Sequence, residues 1–170
     1  VKAKVIQDVA LLNKFVKAVN KNYNVKIGIL GQKDHRKADG NSNATIGLKH
    51  EFGSFSDRIP KRSWLRMPLM EKAGTILKKI SKNTLVNLGK GNYRQVFEDL
   101  AVECRFQIQE AFETQGFGHW PDNKPATIRA KTTKTAKKKA KREHKKVTSM
   151  VLVDTAQMRL SVTHKVKEIK

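Results

Sequence analysis

One stretch of this chain constrains the rest more than any other. From Asn92 to Glu113, Phe97, Leu100, Ala101, Cys104, Ile108, Ala111 and Phe112 return every three or four residues, with no proline or glycine between them. At 3.6 residues per turn they form one apolar stripe on a helix about 30 Å long. Asn92 suits the N-cap, and Gly116 and Gly118 stop the helix. Such a stripe has to be covered, so the other elements must supply a surface of matching length.

Candidates for that surface lie at both ends of the sequence. Val25, Ile27 and Ile29 alternate with Lys26 and Gly28, which is the pattern of a half-buried strand. Ser161 to Val166 alternates Val162, His164 and Val166 and reads as a last strand. Helical spacing of Val5, Val9, Leu12, Val16 and Val19 predicts a first helix over Ile6–Val19, stopped by Asn20 and Asn22. Gly31–Asn43 reads as a loop. Ala44–Phe52 reads as a short helix ended by Gly53, and Gly53–Pro60 as a turn. Pro68 suits the first turn of a further helix, on which Leu69, Ala73, Ile76, Leu77 and Ile80 share an apolar face up to Gly89 and Gly91. Trp120-Pro121 opens an irregular stretch. Val147–Val153 reads as extended, and Asp154 or Thr155 caps a short helical turn through Met158.

Two strands and about three helices, without long strand–helix–strand alternation, predict an α+β fold: a small antiparallel sheet packed against two or three helices, with a long basic loop. The 170 residues, 38% of them apolar and 6% aromatic, suit one domain over residues 1–170 with one modest core.

Charge narrows the partners. Lys plus Arg number 36 against 15 Asp plus Glu, a formal +21 that attracts polyanions: nucleic acid, an acidic membrane or an acidic protein face. The densest part is a lysine-rich insertion at about 129–146, with Lys137, Lys138, Lys139, Lys141, Arg142, Lys145 and Lys146 crowded together. It carries no aromatic for stacking on bases, so it points to phosphate-backbone or partner contact without sequence reading; the plain alternative is a solvated loop.

Reactive groups are few. Cys104 is the single cysteine and lies on the apolar stripe, where it reads as a small buried hydrophobe; one thiol makes neither an intrachain disulfide nor a multi-cysteine zinc site. His50-Glu51 is half of a metalloprotease motif without its second histidine, and Gly28-Ile29-Leu30-Gly31 lacks the ending of a phosphate-binding loop. No catalytic, metal or cofactor site is expected. Nothing reads as a secretory leader or as an apolar run near the length that crosses a bilayer, so a soluble protein made in a reducing cytoplasm is expected. The helix after Asn92 also carries Asp99, Glu103, Glu110 and Glu113 on one stripe with Phe106 and Val102. In so basic a chain this local reversal of sign reads either as a face for a basic neighbouring surface or as a solvated face.

Several segments resemble a known family in their order. Val25-Lys26-Ile27-Gly28-Ile29 is followed by Ala44–Gly53, ending Glu51-Phe52-Gly53, and by Ile59-Pro60-Lys61-Arg62-Ser63-Trp64-Leu65-Arg66. Then come Trp120-Pro121, Lys124-Pro125-Ala126-Thr127-Ile128-Arg129-Ala130-Lys131, and Leu152-Val153-Asp154-Thr155-Ala156-Gln157-Met158-Arg159-Leu160-Ser161-Val162. This succession is similar to the tail-completion and neck proteins of tailed bacteriophages, also called virion morphogenesis proteins. Ala156 stands where that family usually has glycine, and the lysine-rich insertion is long.

The resemblance implies an α+β fold in a ring-forming part at the head–tail junction of a virion, with no catalytic residues. It implies other neck and tail proteins as partners and possible non-specific contact with genomic DNA. In that setting Phe52 is expected in the core, Gly53 at a positive φ, and Arg62 and Arg66 against acids of an adjacent subunit. Asp99, Glu103, Phe106 and Glu110 are the expected subunit-facing stripe. Two rivals remain: a basic nucleic-acid-binding protein, and a phage nuclease built on a metal-binding acid cluster.

Overall fold

The computed structural model describes residues 21–34, 42–133, 152 and 157–169. The helix expected over Ile6–Val19 and the cations Lys137 to Lys146 lie outside these residues.

Strand β1 (Asn22–Ile29) pairs antiparallel with β2 (Val162–Ile169) in a two-stranded sheet, with Val25 opposite Val166, Ile27 opposite His164 and Ile29 opposite Val162. Between them run α1 (Asn43–Phe52), α2 (Arg66–Glu71), α3 (Ala73–Gly89), α4 (Tyr93–Glu113), α5 (Pro125–Thr132) and α6 (Gln157–Ser161). The chain is thus α+β, a small antiparallel sheet against several helices. A two-stranded sheet is too small to stand alone and gains its stability from what packs on it.

Helix α4 is the central rod. It packs on both strands, α2 and α3. The buried side comprises Tyr93, Ala101, Cys104, Gln107, Ile108, Ala111 and Phe112. Phe97 is only half-buried and meets the Tyr23 ring at 4.9 Å between centroids. Asn92 holds the N-cap position, but its side chain makes no capping bond. At the other end the Gly116 N–H reaches back to the Ala111 carbonyl, at φ 68. A Cβ there would sit 2.3 Å from the Trp120 indole, so both the turn and the ring require glycine.

The core gathers Trp64, Ile108, Ala111, Phe112, Trp120, Met158 and Val162. Phe112 lies between the two indoles, 5.9 Å from Trp64 and 5.6 Å edge-on from Trp120. A chain poor in aromatics has placed both of its tryptophans here.

Four readings of the sequence need correction. The expected face from Leu69 to Ile80 spans two helices that break at Lys72, so it does not continue as one surface. Ile76 is buried, whereas Leu77 points outward because α3 rests one side only on α4. The stretch after Trp120-Pro121 is not irregular throughout: Pro125 starts α5, whose first turn needs no donor from it. In the stretch expected to be extended, Leu152 stands at φ 58 in a turn; the remainder of that stretch lies outside the described residues. Ser161 ends α6 and does not open the last strand.

Phe112→Ala should lower the stability of the chain by about 3–5 kcal/mol. Urea unfolding followed by tryptophan fluorescence measures this, and a loss below about 1 kcal/mol would mean that the two indoles are not organised around Phe112.

Candidate functional site

Helix α1 buries the opposite side from the one its composition favours. Asn43, Gly47 and Glu51 follow at four-residue intervals and therefore share one face. That face is inward, while Leu48 and Phe52 lie outward at 61% and 56% exposure. Phe52 is thus not in the core; its neighbour Glu51, 4% exposed, takes the inner place. The helix start is held twice, by the Ser42 hydroxyl accepting from the Thr45 N–H at 3.0 Å and by Asp34 accepting from the Ala44 N–H at 2.6 Å.

The reason a carboxylate displaces an aromatic is its donor set. Glu51 Oε2 accepts from the backbone N–H groups of Trp64 (2.8 Å) and Leu65 (2.9 Å). Oε1 accepts from the Ser63 hydroxyl (2.7 Å) and the Arg66 Nε (3.0 Å). Helix α2 begins at Arg66 with no side-chain cap of its own. Glu51 fills that role from outside, satisfying donors that a helix start leaves open and meeting the positive end of its dipole. Burial pushes its pKa up, but the Leu65, Ser63 and Arg66 donors outweigh that and hold it below the ordinary 4.5.

The residues that follow lock the arrangement. Gly53 adopts φ 82 and ψ 164, a region open in practice to glycine alone, and a Cβ there would press on the Lys61 backbone N at 3.1 Å. Arg62 is 6% exposed. Its N–H donates to the His50 carbonyl at 2.7 Å, and its guanidinium donates to the Pro121 (2.9 Å) and Asp122 (3.0 Å) carbonyls. The Trp120 indole N–H returns to the Ser63 carbonyl at 3.1 Å, and the Trp64 indole N–H to the Gly47 carbonyl at 2.8 Å. At the far end of α1, the Asn43 amide donates to the Ser161 hydroxyl at 2.8 Å.

These contacts revise the expected subunit-facing residues. Arg62 is committed inside its own chain because three backbone carbonyls near it need donors, so it is not an arginine for a neighbour's acids. Arg66 spends its Nε on Glu51 and lies 4.5 Å over the Phe52 ring, while about half of its side chain stays exposed. On α4, Asp99 accepts from Asn87 (3.1 Å) and Gln95 (2.8 Å), and Glu103 from Lys79 (2.7 Å) and Gln107 (2.9 Å). Each acid thus ties α4 to α3 through one bond and holds a residue of α4 itself through the other. Lys79 also lies 4.7 Å over the Phe106 ring. Phe106 and Val102 remain about half exposed, and Glu110 is half-buried on the same helix.

Beside Glu51 a shallow groove of about 280 Å³ runs between the end of β1 and α1, lined mainly by apolar side chains, among them Ile27, Leu30, Leu48, Phe52 and Leu65. Cys104 is buried, which raises its thiol above the ordinary 9.0. Among the described residues no group of three or more His, Cys, Asp or Glu is placed to hold a metal ion. No family model, curated protein or solved structure matches this chain. What the geometry offers is a rigid set of surfaces; the inward Glu51 and Arg62 are its fasteners.

The sequence signal for this was the stripe Asn43, Gly47, Glu51, in which small and polar residues align at helical spacing beside an apolar one. A helix with two such faces has no apolar minority to reveal which side is inside, and Glu51 becomes legible only when its donors in Ser63–Arg66 are nearby.

Two outcomes follow. Glu51→Ala leaves the Trp64 and Leu65 N–H groups without their acceptor and should cost roughly 2–4 kcal/mol in urea unfolding. Acid should weaken the wild type in two stages. Burial, with help from the Arg62 charge, lowers His50 from 6.5 to about 4, so between these values the unfolded chain binds a proton that the folded chain refuses. Stability falls as pH drops through that window. Glu51, held below its ordinary value, adds stability above about 4.5 that is lost as pH falls through its folded pKa. Urea midpoints for His50→Gln should lose the upper stage and keep the lower one; an unchanged upper slope would contradict the assignment.

Proposed function

We propose that this chain is a structural virion protein at the head–tail junction of a tailed bacteriophage, a tail-completion or neck component acting by oligomeric assembly and partner docking. The observation that carries the reading is where the resembling segments meet. Glu51 of the first caps the Trp64–Arg66 turn of the second. Arg62 and Ser63 of the second bond to the Trp120–Asp122 segment. Ser161 of the last bonds Asn43, beside the first. Segments up to 118 residues apart thus interlock through buried and part-buried polar bonds.

Residues spent in this way hold a shape, and a part that works by presenting fixed surfaces to neighbours needs that. A ring of such copies surrounds its channel with positive field, which suits the passage of DNA. Lys137 to Lys146 are assigned to genome or partner contact, and the protein's place is the virion, reached from the host cytoplasm. Among the described residues no helix is long and apolar enough to cross a membrane.

A second reading rests on the charge of +21: a basic protein that binds the phosphate backbone without sequence preference. It accounts for the lysines but leaves the ordered segments unexplained.

Heads and tails from the encoding phage, made without this chain, should stay separate. Adding the purified protein should join them, as counted by negative-stain electron microscopy. Particles that join normally in its absence would remove the junction role. Steep salt-dependent DNA binding without any joining would favour the second reading.

A further inference from the structure

The turn between α1 and α2 presents one side chain in an unusual way. Phe55 is fully exposed, the most open large apolar residue among those described. Its backbone is nevertheless held firmly. Ser54 and Ile59 exchange both backbone hydrogen bonds, at 2.9 and 2.8 Å, and the Arg58 N–H closes on the Phe55 carbonyl at 3.1 Å. Ser54 Oγ bonds the Asp57 carboxylate at 2.9 Å and accepts from the Asp57 N–H at 3.3 Å. The turn is also tied to α1 by the Lys49–Asp57 pair at 2.7 Å.

The charge on and beside the turn is net positive. Asp57, the acid of the turn, is taken by Lys49. Arg58 and Lys61 are exposed on the returning arm, and Lys124 donates to the Arg58 carbonyl at 3.4 Å, which brings a third cation alongside. Arg58 itself sits at φ 52, where glycine fits more easily than any residue with a Cβ. A strained backbone under an exposed charged side chain points to a use for that side chain.

We infer that the Phe55 turn is a preformed anchor for another protein of the junction, one that offers an apolar pocket rimmed by carboxylates. This rests on the function proposed above and names the surface through which that function is exercised. A large side chain that fills a desolvated pocket on its partner is the usual form of an energetic hot spot, and a turn already fixed loses little entropy on binding. Complementary charge selects an acidic rim. The same chemistry can attract single-stranded nucleic acid, but such binding uses grooves that follow the backbone past successive aromatics. Here a single ring stands on a convex tip.

The test uses the full-length chain and the joining assay on heads and tails made without it. Phe55→Ala should fold with unchanged circular dichroism and reduce the joined fraction roughly tenfold at limiting protein. Arg58→Gly should raise Tm, by relieving the backbone, yet reduce joining. If wild-type protein joins particles and both variants do so equally well, the anchor is refuted and the junction role stands. If wild-type protein joins nothing, the junction role fails and the anchor with it. A third arm titrates a thymidine oligonucleotide: loss of its binding in Phe55→Ala would show the ring stacking on bases and overturn the protein pocket.

Discussion

A buried carboxylate among backbone donors organises this fold. Glu51 costs free energy to desolvate, and only a nearly complete set of hydrogen bonds makes its position tenable. The Ser63–Arg66 turn supplies that set, because a helix starting at Arg66 points its first N–H groups in one direction. Each half explains the other: α2 has no local cap, and α1 has a charge on its inner face. Once the two are joined, Trp64 is fixed against Phe112, and the core is built around that contact.

The same economy runs through the rest of the chain. Arg62, Trp120, Asn43 and Ser161 all bond across large sequence separations, and most of their partners are backbone atoms or short side chains. Bonds of this kind demand one geometry, whereas apolar contacts alone tolerate slippage. A small core with few aromatics gains from them a defined shape that its apolar area would specify less sharply. For a protein proposed to work by fitting neighbours, definition of shape is the property that matters.

Much of this was legible in the residues. The α4 stripe and both strands follow from period, since each has one apolar face; α1 is legible as a short helix from its Gly53 stop, but not for which side it buries. The break at Lys72 was not, because an apolar spacing that spans two helices looks the same as one that spans a single helix. Phe52, expected in the core, lies outside it, and Glu51 takes the inner place because its donors come from residues 63–66, which period along α1 does not reveal. Arg62, expected against a neighbour's acids, is buried within its own chain, and Asp99 is half-buried with a partner on another helix. Their partners, the Pro121 and Asp122 carbonyls and Asn87, lie on other elements. Phe55 was passed over because a turn residue leaves no periodic trace.

The place proposed for this polypeptide is the particle itself, built in where head meets tail. Immunogold electron microscopy of intact, purified phage with antibody against this chain tests it most directly. The account predicts gold confined to the collar between capsid and tail. Purified particles that carry no label, with the protein recovered only from the infected-cell lysate, would contradict it.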